Sequence, residues 1–282
     1  MSSLVALNKE QNQVVRMVLQ GLNVFFTGAA GTGKSMLLKV IMCELRSKYP
    51  EPEGVAVTAS TGMAASNIGG HTLYSWGGIL PAKEDVESIV KSIHHNSSVL
   101  SCWKNVQVLI IDEVSMVDGA LFNRLHAIAS KLRGKPGEPF GGIQLVVTGD
   151  FFQLPPVTKG GKEPFFAFES QAWKMSFHHS VNLAEVFQQN DTCTYNELYV
   201  LFVDLQLRKG FIQALNSLRV GKPSPDAIQL FTSLSRPIMR PVTPPRTSNT
   251  HKIAIEPGTI KKNIFPTELY PHRFAAAEAN LR

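Results

Sequence analysis

One run of eight residues limits the fold more than any other feature of the chain. Gly28-Ala29-Ala30-Gly31-Thr32-Gly33-Lys34-Ser35 satisfies the pattern G-x-x-x-x-G-K-[ST] without a mismatch. It follows Val24 to Thr27, a short β-branched and aromatic run that predicts a buried strand, and it opens Lys34 to Lys48, whose apolar spacing predicts a helix. In that setting the loop N–H groups and the helix dipole can together cradle a triphosphate. The binding residues are then Gly28, Ala29, Ala30, Gly31, Thr32, Gly33, Lys34 and Ser35. Lys34 neutralises the β- and γ-phosphates of ATP, and Ser35 ligates Mg2+.

The surrounding pattern agrees with such a loop. Val55 to Thr58, Val106 to Ile111 and Leu145 to Thr148 are further short strands, each followed by small or polar residues. Helices are predicted at Gly119 to Leu132, Lys209 to Arg219 and Asp226 to Leu234. Ahead of them, Asn8 can cap a helix with Gln11 three residues on, with Val14, Val15, Val18 and Leu19 on its apolar face and Gly21 at its end. This rhythm is that of an α/β domain, a mainly parallel sheet flanked by helices.

Val108-Leu109-Ile110-Ile111-Asp112-Glu113 is an apolar strand ending in two acids. Alone it reads as a polar turn. Beside a phosphate loop it supplies what phosphoryl transfer requires, with Asp112 reaching the metal and Glu113 polarising the attacking water. Gln153, in Gly149-Asp150-Phe151-Phe152-Gln153-Leu154-Pro155-Pro156, can sense the γ-phosphate. The alternative is a Gly149-Asp150 turn with a stiff proline exit.

Composition narrows the setting. With 282 residues and 44% hydrophobic content the chain can bury a large core. No run of about 18 apolar residues is present, and Met1 to Gln11 has no basic region followed by an apolar run, so neither membrane spanning nor secretion is expected. Cys43, Cys102 and Cys193 are far apart and form no C-x-x-C, so neither a disulfide framework nor a zinc site is expected. The net charge of +6 is uneven, with eight Lys/Arg against three Glu from Arg236 onward and 20 basic against 19 acidic residues before it. Residues 236–265 are proline-rich without a period, and both a linker and a phosphate-backbone contact fit them.

Six segments in order resemble the PIF family of DNA helicases: Leu7-Asn8-Lys9-Glu10-Gln11, Phe25 to Ser35, Thr58 to Ala65, Ile110 to Met116, Pro139 to Leu145 and Gly149 to Val157. The resemblance implies a RecA-like P-loop domain over residues 1–235, in a superfamily-one motor that moves 5′ to 3′ on single-stranded DNA and unwinds forked DNA with ATP and Mg2+. Roles in DNA repair, recombination and telomere maintenance, in the nucleus or the mitochondrion, are implied with it. Gln11 then reads the adenine edge, although the capping-box role is equally physical. Single-strand contacts fall to Ser60, Thr61 and Gly62 and to His71, Thr72, Tyr74, Ser75 and Trp76, through base stacking and phosphate binding. Packing of Tyr74 and Trp76 onto the domain is the competing reading.

The chain also departs from the family. Gln188, in Glu185-Val186-Phe187-Gln188-Gln189, stands where the resemblance expects an arginine near the γ-phosphate, which favours slow hydrolysis or a non-enzymatic ATP-binding module. Residues 191–207 read as an insertion, and 266–282 as the entry into a second RecA-like domain. A chain with one motor domain is expected to bind ATP without unwinding DNA. A small-molecule kinase is disfavoured by the second DNA-facing block.

Overall fold

The computed structural model describes residues 7–80, 85–158, 163–185 and 210–233. Its centre is a six-stranded sheet of β1 (Val24–Gly28), β2 (Val55–Ala59), β3 (His71–Thr72), β4 (Val108–Asp112), β5 (Gln144–Thr148) and β6 (Ser180–Leu183). All pairings are parallel, in the spatial order β3-β2-β4-β5-β1-β6. The phosphate-loop strand β1 and the acid strand β4 thus lie on either side of β5.

Parallel strands have to be covered on both faces, and alternation along each strand supplies two cores. Phe25, Leu109, Ile111, Leu145 and Val147 face one way. They pack with α4 (Leu73–Gly77), α5 (Val86–His94), α6 (Ser97–Asn105), α7 (Gly119–Arg133) and α8 (Gln171–Ser176). Val24, Phe26, Val108, Ile110 and Val146 face the other way, against α1 (Lys9–Leu19), α2 (Lys34–Lys48) and α3 (Gly62–Asn67). Residues 210–219 form α9, and α10 spans Pro225–Ser233. Among the described residues no helix is long and apolar enough to cross a membrane.

The expected strands and long helices are present with small shifts at their ends. The strand expected from Val106 begins at Val108, because the Val106 N–H still donates to Cys102 O and closes α6. The described residues between Gly62 and Asn105, left unassigned by periodicity, form four short helices and the two-residue β3. Each helix starts on a side-chain cap: Thr61, Thr72, Asp85 and Asn96. Strand β6 escaped notice because it buries only alternate residues of a four-residue edge. The insertion read at 191–207, Gln188, the linker at 236–265 and the second domain at 266–282 lie outside the described residues.

Polar ties close the amino-terminal end of the sheet. Gln144 Nε2 donates to Val18 O and Leu22 O, both at 2.8 Å, and Asn23 accepts from Leu145 N at 2.7 Å while donating to Ser176 O. Arg133, at the end of α7, donates through Nε to Gly141 O (2.7 Å) and through one terminal nitrogen to Trp103 O, Lys104 O and Val106 O. It therefore holds the exit of α6 against the turn at Phe140 and Gly141, where Phe140 adopts φ 49° and is fully buried. Losing these charge-assisted bonds leaves partly buried carbonyls unpaired. Arg133→Ala is expected to lower the unfolding free energy by about 3 kcal/mol in a denaturant titration, and an unchanged midpoint would contradict that role.

Candidate nucleotide site

The phosphate loop leaves β1 at Gly28, whose position at the strand's carboxyl end is set by pairing with Leu183 of β6. Gly31 and Gly33 have φ of 82° and 80°, a left-handed path that lets the loop turn its N–H groups inward before α2 begins. Gly33 caps α2 without a side-chain hydrogen bond, and no acid lies in the first turn, so the positive end of this helix has no anion of its own. Lys34 Nζ donates to Gly28 O at 2.8 Å and Ala29 O at 3.1 Å. Burial lowers its pKa below that of an ordinary lysine, against the opposing pull of Asp150, Glu113 and Asp112.

Asp112 ends β4, and its carboxylate accepts from the Glu113 N–H at 2.9 Å. Burial pushes its pKa from 3.8 up to about 6, with the charge of Glu113 adding to the rise and Lys34 and the Glu113 N–H opposing it. Glu113 itself adopts φ 52°, ψ 47°, a left-handed conformation that costs a non-glycine residue of order 1 kcal/mol. The strain turns the chain sharply just after the paired acids, into the one-turn helix Val114–Met116.

The loop after β5 closes the site from the third side. A Cβ on Gly149 would lie 2.8 Å from Val114 N and 3.3 Å from Ser115 N, so only glycine lets this loop lie against the acid turn. Asp150 is 1% exposed. The sequence offered it as a turn residue; the structure makes it a hub as well. Its Oδ1 accepts from Phe152 N and its Oδ2 from Gln153 Nε2. Arg219, from the end of α9, forks onto both oxygens at 2.6 and 2.8 Å. These bonds hold Asp150 below the usual carboxylate range although burial works the other way. Phe151 anchors the same loop in an aromatic cluster with Phe25, Phe168 and Trp173.

Arg219 is the site residue that sequence reading missed. Its only signal was a basic residue ending an amphipathic helix, and nothing local marks a partner 69 positions away. Gln11 is fully buried and forms the capping box with Asn8, while its Nε2 reaches Thr32 O at 3.5 Å. The capping alternative is thus realised, with an added tie to the phosphate loop. Ser35 lies in the first turn of α2. Ser60, Thr61 and Gly62 follow β2 on the same side of the sheet as Asp112, since the Ser60 N–H donates to Asp112 O. Thr61 and Thr72 cap α3 and α4, and Gly62, His71 and Ser75 are exposed. Tyr74 and Trp76 are half-buried against the core, with Trp76 4.5 Å from Trp103 between ring centroids. Their packing role is therefore present whatever else they do.

The sequence model of the PIF1-like helicase family matches residues 6–225. The chain belongs to the PIF1-like helicase family. Over 287 aligned residues it is 42% identical to the ATP-dependent DNA helicase PIF1 of Candida albicans, covering 99% of this chain and 27% of that protein. The crystal structure of the Candida albicans Pif1 helicase is 43% identical with a TM-score of 0.75, over 99% of this chain and 54% of the other. A Bacteroides Pif1 helicase in complex with ADP-AlF3 and single-stranded DNA is 29% identical with a TM-score of 0.60, over 83% and 51%. The PIF1-like chain thus spans about a quarter of that curated relative and about half of these solved chains, and its fold is their RecA-like P-loop fold.

The buried acid gives a stability test. A carboxyl whose folded pKa is raised favours folding most below its unfolded pKa and loses that contribution as pH rises through the folded value. For Asp112 the window runs from 3.8 to about 6, and the loss amounts to about 3 kcal/mol by neutral pH. Asp112→Asn is expected to raise the melting temperature of the nucleotide-free chain at pH 7 and to flatten its dependence on pH across that window. Parallel melting curves for the two proteins between pH 4 and 7 would show the burial argument to be wrong.

Proposed function

We propose that this chain carries the ATP-binding site of a 5′-to-3′ DNA helicase that couples ATP hydrolysis to unwinding of forked DNA. The observation that carries the reading is convergence. The phosphate loop, the acid pair and the Asp150–Gln153 loop leave β1, β4 and β5 at their carboxyl ends, on one side of the sheet, where parallel α/β folds bind ligands. The residues suit the ligand. An uncapped helix N-terminus and a lysine suit a polyphosphate, and the acids Asp112 and Glu113 at the end of β4 lie within electrostatic reach of that lysine. Mg2+ fits as well, because it is held by one or two protein oxygens together with phosphate and water. Ser35 and Asp112 would hold it, and it would shield the charge of the phosphates.

In this reading Lys34 leaves the carbonyls of Gly28 and Ala29 for the β- and γ-phosphates, Glu113 orients and polarises the attacking water, and Gln153 meets the γ-phosphate. Gly28 to Ser35 wrap the phosphates, with Gln11 near the adenine. Single-stranded DNA is expected across Ser60, Thr61 and Gly62 and across His71, Thr72, Tyr74, Ser75 and Trp76. Exposed His71 and Ser75 are suited to phosphate contacts, and Tyr74 and Trp76 to a limited stacking edge. DNA repair, recombination and telomere maintenance in the nucleus or mitochondrion follow as the setting. Residues 236–265 serve as linker and 266–282 as the start of a second motor domain. A second reading, an ATP-binding module without turnover, rests on Gln188, which cannot supply the positive charge worth roughly 10³ to 10⁵ in rate at this kind of site.

Lys34→Ala is expected to weaken MgATP binding more than tenfold in a fluorescence titration while the domain stays folded, since the ammonium contacts only loop carbonyls. Glu113→Gln is expected to leave that affinity within about twofold and to abolish DNA-stimulated phosphate release. Unaltered nucleotide affinity in Lys34→Ala refutes the site. Binding without any turnover by the unsubstituted chain, with or without single-stranded DNA, selects the module reading.

A further inference from the structure

Gln153 is exposed, and among the described residues the hydrogen bonds that orient it end on Asp150: its N–H donates to Asp150 O at 2.8 Å and its Nε2 to Asp150 Oδ2 at 3.3 Å. Asp150 is in turn oriented from outside its own loop by Arg219. The guanidinium donates Nε to Oδ2 at 2.8 Å and a terminal nitrogen to Oδ1 at 2.6 Å, the two-pronged geometry that fixes a carboxylate plane as well as its position. The same guanidinium lies 4.8 Å over the ring of Phe152, the residue immediately before Gln153. The Arg219 side chain is only 25% exposed. Its backbone is held by the end of α9, where Gly221 turns with φ 70° and its N–H donates to Leu218 O.

We propose that Arg219 is a positioning residue of the nucleotide site, whose fork on Asp150 sets the Gln153 amide for the terminal phosphate of a bound nucleoside triphosphate. The proposal rests on the nucleotide reading above and extends it to α9, which contributes no residue to the phosphate loop or the acid pair. Three features separate this from an ordinary stabilising ion pair. Asp150 spends each carboxylate oxygen twice, once on Arg219 and once on the Phe152–Gln153 segment, so the arginine and the sensing amide share one rigid acceptor. The stacking of Arg219 on Phe152 acts on that same segment. Finally, Arg219 opposes the charge on Lys34 while Asp150 favours it, so both members of the pair lie within electrostatic reach of the phosphate-binding lysine.

Lysine can keep the charge but not the fork, which makes Arg219→Lys the informative variant; Arg219→Ala leaves a buried carboxylate unpaired and is expected to melt earlier. Affinities for adenylyl-imidodiphosphate and for ADP, each with Mg2+, are measured by competition against a fluorescent nucleotide on the full chain. In Arg219→Lys the triphosphate analogue is expected to bind about tenfold more weakly with ADP within about twofold, the same pattern as Gln153→Ala, and the double variant should add no further loss. An equal loss for both nucleotides, no loss for either, or additive losses in the double variant overturns the proposal and leaves the nucleotide site standing. Failure of both nucleotides to bind the unsubstituted chain overturns the site and the proposal together.

Discussion

The parallel pairing of β4, β5 and β1 is the constraint on which the rest of the molecule depends. Strands that run the same way must be joined by crossovers, and the crossovers place helices on both faces. Each residue of β4 from Val108 to Ile111 is consequently buried, alternately in one core and the other. All strands then end on one side, and every loop that leaves there is delivered to a common rim. The burial that holds the sheet also shapes that rim. Asp112 is the last residue of a strand whose preceding four are fully shielded, and that low-polarity support is what raises its proton affinity.

The rim gathers charges of both signs. Lys34 and Arg219 stand among Asp112, Glu113 and Asp150, and the two cations are used differently. Arg219 is committed to a fixed partner by two short bonds and a stacked ring. Lys34 rests on two backbone carbonyls, neutral acceptors that an incoming anion outcompetes. Commitment of one cation thereby leaves the other free to respond.

Much of this was readable from residue order alone, for reasons that differ by element. The phosphate loop and acid strand are contiguous, so residue order alone places Lys34 and Ser35 at the start of a helix after β1, and Asp112 and Glu113 at the end of β4. Helices α2 and α7 were legible because 15 residues give several turns of apolar repeat. Helices of five to nine residues between Gly62 and Asn105 were not, since one or two turns carry too little period to separate from a loop. The Asp150–Arg219 pair was beyond reach for a deeper reason. A contact across 69 positions is created by the tertiary fold, and neither residue's neighbours announce it. Gln11 and Trp76 each carried two readings in the sequence, and the structure shows the capping box of the first and the packing on Trp103 of the second.

The two ends of the sheet are built differently, and this has a mechanical consequence. At the amino end Gln144 and Asn23 stitch β5 to α1, to the segment that follows it and to α8, and Arg133 gathers three carbonyls of the α6 exit against the Phe140 turn. Those ties break only if neighbouring helices part from the sheet, so amide protons there should exchange with solvent only on global opening. At the carboxyl end the loops are held by side chains rather than by bonds that tie a strand to its covering helices, through Phe151 and the Arg219–Asp150 fork after β5 and the Thr61 cap of α3 after β2. Any rearrangement on binding is therefore expected at the tips of the strands, above a base that is welded to its helices.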